Sequence, residues 1–108
     1  MQTNEHIIVL VSCVNKAQAE QIAEYLLKEK LVACVQMQDV KSYYTWKDKL
    51  EKSIEVSLSM KTRAEHFTKI QTAVLAEHSY EVPEIVAIPI VNALPAYLAW
   101  IDEVVENF

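Results

Sequence analysis

Three short clusters in this sequence carry the side chains best suited to chemistry. Ser42-Tyr43-Tyr44-Thr45-Trp46 sets aromatic rings among hydroxyls on consecutive residues. Such rings pack across neighbouring strands and subunit boundaries, the commoner use, or stack on a ligand. Asp48, Glu51 and Glu55 follow in one stretch. They suit a hard cation if the chain gathers them, and a solvated turn if it does not. His78-Ser79-Tyr80-Glu81-Val82-Pro83-Glu84 joins an imidazole, a phenol and carboxylates. A lone loop histidine is more often a surface residue than a ligand, yet loops on rigid scaffolds carry function disproportionately.

These clusters lack a catalytic frame. No GxSxG or HExxH occurs, and His6, His66 and His78 are scattered. A nucleophilic Cys13 or Cys34 would need a histidine beside it, which the sequence does not place. Both cysteines lie in apolar, strand-like contexts away from CxxC spacing, so two reduced, buried thiols are expected, with a disulfide or redox pair as the alternative. The chain contains no glycine, which excludes every glycine-rich phosphate loop. Positions needing φ > 0 are then expected to fall to Asn15, Asp39, Asp48 or Asn92. No enzyme is expected.

The elements that must position these side chains read clearly in places. Residues 7–13, IIVLVSC, form an apolar run suited to a strand buried on both faces. Asn15 with Gln18 three residues on opens a helix over 16–30, with Ala19, Ile22, Ala23, Leu26 and Leu27 on its apolar stripe. One long strand is expected over 32–47, bent or bulged near Asp39. After a turn at 47–49, Ile54, Val56, Leu58 and Met60 alternate with polar residues as a third strand. Thr62 and Glu65 have capping-box spacing for a helix over 63–77 with Phe67, Ile70, Val74 and Leu75 buried. A fourth strand over 84–91 contains Pro89, which places it at a sheet edge. Pro95 opens a terminal helix whose stripe is Tyr97, Leu98, Ile101, Val104, Val105 and Phe108.

The order β-α-β-β-α-β plus one helix is the split-βαβ, ferredoxin-like sandwich of the α+β class, in a single domain over 1–108. Two crossover helices cover one sheet face. The first and fourth strands carry apolar residues in both phases of alternation, so the other face also needs a cover. With 52% hydrophobic residues and a mean hydropathy of +0.07, a chain this small holds more apolar surface than its interior takes. A homo-oligomer with sites between subunits is the economical solution. The net charge of −5 and the lack of a basic face argue against nucleic acid and anionic membranes. No apolar run approaches the ~20 residues of a membrane span. The first ten residues lack a secretion signal, so a cytoplasmic location is expected.

Taken together, LVACV (31–35), S-x-Y-x-W (42–46), Glu55, Lys61-Thr62, H-x-YEVPE (78–84) and PAYLAW (95–100) resemble the CutA family of divalent-cation tolerance proteins. The resemblance runs from about Ile8 to Trp100. It implies a PII-like homotrimer of ferredoxin-like subunits, non-enzymatic, with no required cofactor, binding copper or another divalent ion. It also implies an inter-subunit cleft formed by Cys34, Tyr44, Trp46, Glu55, Lys61, His78, Tyr80 and Glu84, with His78 as metal ligand. Two departures stand out: Asp48 where the family usually has glycine, and Ser79 where it usually has proline. A rival expectation is a PII-like sensor of a small anionic metabolite, with Lys61 as its cation and Trp46 or Tyr44 as its stacking face. One imidazole per subunit cannot close a metal site, so further ligands would come from Cys34, Glu81, Glu84 or neighbouring His78 residues.

Overall fold

The alternation read over 54–60 becomes the spine of the sheet. In the computed structural model, which describes residues 5–106, β3 (Lys49–Arg63) pairs antiparallel with β1 (His6–Cys13) and with β2 (Cys34–Trp46). The edge strand β4 (Ile85–Pro89) pairs with β1, giving the order β2-β3-β1-β4. Pro89 sits at that edge, where a missing N–H costs no ladder bond. The helices are α1 (Lys16–Lys28), α2 (Phe67–Glu77) and α3 (Pro95–Val104).

One face of the sheet meets α1 and α2. Val9, Val11, Leu58 and Met60 pack there against Ile22, Leu26, Ile70 and Val74, all essentially inaccessible. Among the described residues the opposite face receives one helix, α3, through buried Ile101 and, just past its end, Val105. Asp102 fastens that helix, accepting from Arg63 Nη1 at 2.6 Å and contacting His6 Nε2 at 2.8 Å. Two carboxyl-seeking groups outweigh the effect of burial and hold the Asp102 carboxyl below its usual 3.8. Val86 and Ile88 of β4, on this same face, stay exposed.

Several local expectations needed correction. The bulge near Asp39 is absent: β2 and β3 keep one register from Cys34↔Lys61 to Trp46↔Lys49, with Asp39 opposite Val56. At this edge Asp39 reaches water without one. Thr62 is no helix cap. It is buried in β3 and donates to the Leu31 carbonyl at 2.6 Å, because pairing with β1 carries the strand to Arg63. One 3-10 turn over Ala64–His66 precedes α2, and Glu65 binds Arg63 instead. Leu75 is exposed, so the buried stripe of α2 is Ile70 and Val74. Phe108 lies outside the described residues.

The left-handed positions include Asp48, as expected, but otherwise fall on lysines instead of Asn15, Asp39 or Asn92. Among the described residues they are Lys30, Lys47 and Asp48, with φ of 58°, 51° and 65°. Lys47 and Asp48 form a two-residue hairpin turn with both central residues left-handed, the geometry that matches strand twist. Lys30 follows α1, where its N–H bonds the Leu27 carbonyl and the Leu31 N–H bonds Leu26. This is a Schellman end with a lysine where glycine is usual, closed by burial of Leu31 beside Leu26. Asn15 does cap α1, accepting from the Gln18 N–H at 2.8 Å. The Gln18 side chain reaches back one residue further than in a capping box, to the Val14 N–H.

Candidate functional site

Register decides what the open face presents beyond α3. β2 contributes Ser42, Tyr44 and Trp46, and β3 contributes Glu51, Ser53 and Glu55, with Tyr44 opposite Glu51 and Ser42 opposite Ser53. Ser12 ends β1 on the same face. The loop from His78 to Glu84 folds back across this corner. Most of these residues, though not Ser53 or His78, line an open cleft of about 770 Å³.

The loop is fastened by side chains. His78 Nε2 meets the Ser12 carbonyl, which only accepts, so that nitrogen carries the proton. Its Nδ1 accepts from the Tyr80 N–H at 3.1 Å. The imidazole is thus a neutral crosslink with both nitrogens engaged, its ring 4.7 Å from that of Tyr80. The Tyr80 hydroxyl donates to Glu55 at 2.7 Å, and Ser12 donates to Glu84 at 2.9 Å. Ser79 accepts from Gln18 Nε2 at 3.3 Å, a contact proline would lack.

The electrostatics are one-sided. Glu51, Glu55, Glu81 and Glu84 line the cleft, and no lysine or arginine does among the described residues. Burial, and then the Glu55 carboxylate, push the Tyr80 phenol upward. Burial first, and Glu55 second, push the Cys13 thiol up to about 11. Cys13 is therefore a protonated core side chain at neutral pH, neither nucleophile nor ready metal ligand.

Of the eight residues anticipated, Tyr44, Trp46, Glu55, Tyr80 and Glu84 line the cleft. His78 holds the loop. Cys34 and Lys61 do not join them: they form a cross-strand pair toward the other end of the open face. Lys61 lies six positions along β3 from Glu55, about 20 Å. There Lys61 donates to Gln36, and Cys34 is half-buried rather than buried, near Tyr97. The arrangement of Lys61 opposite Trp46 or Tyr44 is therefore not built within one chain. Asp48 stays in the turn, outside the cleft lining. Ser12 went unanticipated; its only signal is the single hydroxyl within the apolar run.

A resident metal is not accommodated by one chain. Among the described residues no three His, Cys, Asp or Glu side chains gather closely enough to hold an ion. His78 has no nitrogen lone pair to offer while its two hydrogen bonds stand.

Residues 7–104 match the family described as CutA1 divalent ion tolerance protein. The chain belongs to the CutA1 family. Among CutA relatives, the divalent-cation tolerance protein CutA of Archaeoglobus fulgidus is 42% identical, over 94% of this chain and 99% of its own. Its solved structure, described as a periplasmic protein, superposes with a TM-score of 0.91. CutA1 from the psychrotrophic bacterium Shewanella sp. SIB1 gives 0.93 at 34% identity, covering 98% of this chain and 100% of that one. The Xenopus laevis CutA homolog is 40% identical over 90% of this chain and 65% of its own length. The CutA1 match thus spans the sheet, all three helices and the cleft. No helix among the described residues is long and apolar enough to cross a membrane.

Proposed function

We propose that this chain serves divalent-cation tolerance as a non-enzymatic homotrimer of ferredoxin-like subunits, drawing cations into the acidic cleft. The observation that carries this is the cleft lining: four glutamates with aromatic walls and no lysine or arginine among the described residues. Such a site attracts cations and repels organic anions. The sheet order and the two-helix cover support the ferredoxin-like assignment.

Threefold assembly is supported by apolar surface without a cover. Val86 and Ile88 are exposed on the open face, and Leu50 and Ile54 lie 67% and 78% exposed on the hairpin that stretches the subunit to 43 Å. Head-to-tail contacts between such surfaces close into a ring. A neighbouring subunit would then bring the donors that one chain lacks. Copper would compete with the Tyr80 N–H for His78 Nδ1, which keeps its affinity modest. Two free thiols suit a reducing compartment such as the cytoplasm. Cell fractionation decides between that and the periplasm.

A thermal-shift screen tests the cation assignment. Cu²⁺ and Zn²⁺ are expected to raise the melting temperature, and nucleotides and organic acids to leave it unchanged. The reverse pattern would overturn it. Light scattering is expected to give a trimer, and Trp46→Ala to weaken it by about 2 kcal/mol. A monomer at micromolar concentration would refute the assembly.

A further inference from the structure

The helix layer, on the far side of the sheet from the cleft, carries a groove of its own. α1 and α2 leave about 300 Å³ between them, walled by Tyr25 on one helix and by Thr68, Thr72 and Ala73 on the other, with buried Leu31 beside them. Thr68 and Thr72 stand one helical turn apart and so share a face. The path of the chain points to an occupant. α3 lies on the open face, yet the Glu106 N–H bonds the Lys30 carbonyl at 2.8 Å, in the turn that ends α1. By Glu106 the chain has therefore crossed the end of the sheet, and Glu106 itself forms part of the groove wall. Asn107 and Phe108 follow it. We propose that Phe108 seats in this groove, so that the chain beyond α3 is a strap tying the open face to the helix layer.

Reach and chemistry agree with that seat. Two residues span at most about 7 Å, so Phe108 stays close to the wall that Glu106 builds. A groove of about 300 Å³ stands at the bottom of the small-molecule range and suits a single ring. Tyr25 is 47% exposed, and Ala73 packs partly buried against the core. Thr72 spends its hydroxyl on the Thr68 carbonyl at 3.0 Å, which leaves its methyl to a neighbour. A phenyl ring against Tyr25 gains both burial and an aromatic pair. The open sheet face assigned to assembly points the other way, so a neighbouring subunit placed there leaves the groove uncovered. The strap also supplies what α3 lacks. Within that helix only Ile101 is buried, and Asp102 ties it to Arg63 and His6 on the sheet. Phe108 fastens the same helix from the opposite layer.

NMR of the full chain, labelled at its alanine and threonine methyls, tests this. In wild type the Phe108 ring is expected to give NOEs to the Ala73 and Thr72 methyls, absent in Phe108→Ala. Amide exchange at Glu106 is expected to quicken about tenfold in that variant, with the β1 amides unchanged. Ala73→Phe, which fills the groove with another ring, is expected to evict Phe108 and to quicken Glu106 in the same way. Protection of the β1 amides establishes that both variants fold, and the wild-type NOEs decide the seating even if one does not. NOEs from Phe108 to β4, to α3 or to a differently labelled neighbouring subunit would put the ring elsewhere and overturn the strap. So would a Phe108 ring with no NOEs to the groove, or Glu106 exchange equal in wild type and Phe108→Ala.

Discussion

His78 shows how a side chain that looks like a ligand becomes a fastener. Its neighbours' chemistry fixes the tautomer, and the ring spends both nitrogens holding Tyr80 over Glu55. The sequence placed imidazole, phenol and carboxylate near one another in kind, but the Tyr80 to Glu55 bond joins residues 25 positions apart and depends on how the loop closes. Tyr80→Phe is expected to cost about 1–3 kcal/mol, because it leaves a buried carboxylate without its donor. Urea unfolding measures this, and an unchanged midpoint would show that water replaces the hydroxyl. Cys13 offers a pH test. Folded Cys13 keeps its proton up to about 11, against an ordinary 9.0. Between those values the folded state binds more protons than the unfolded one, so stability is expected to fall as pH rises. In native protein at pH 8, iodoacetamide is expected to modify Cys34 well before Cys13, as peptide mass mapping would show.

Whole elements were legible where periodicity was clean and misplaced where pairing overrode it. The alternation over 54–60 and Pro95 at the start of α3 predict their elements correctly. Thr62 and Glu65 have the spacing of a cap, yet the strand continues through Thr62 to Arg63, because β1 offers partners that far, and Glu65 falls in the 3-10 turn beyond it. The lysine ends were invisible for a related reason: with no glycine in the chain, tertiary closure rather than residue preference chose Lys30 and Lys47. Replacing Lys30 by glycine is expected to stabilise the protein by about 1 kcal/mol, by relieving the left-handed penalty. Chemical denaturation checks this, and destabilisation would mean that unfolded-state entropy outweighs the strain. α3 depends on Asp102. The folded-state value lies below 3.8, so its contribution is complete above the ordinary carboxylate range and is lost as pH falls below 3.8. Hydrogen exchange near pH 3 is expected to expose α3 before the central strands, and Asp102→Asn to show that exposure at neutral pH. Equal protection of α3 and β3 would refute the anchor.

For the molecule as a whole, composition announced a surplus of apolar surface, and the structure locates it on β4 and the long hairpin. What composition could not divide was the open face itself. Eight candidate residues were expected in one cleft between subunits; within a single chain, a fully extended pair of strands holds them in two groups, an acidic, aromatic cleft and a Cys34–Lys61 end. Which end receives the cation is the point on which the functional assignment turns. Calorimetric titration of Cu²⁺ into wild type, Glu84→Gln and Lys61→Gln measures it directly. Binding is expected in wild type and Lys61→Gln alike and at least severalfold weaker in Glu84→Gln. Loss of binding in Lys61→Gln, with Glu84→Gln unaffected, would contradict the cleft and move the site to the opposite end of the sheet.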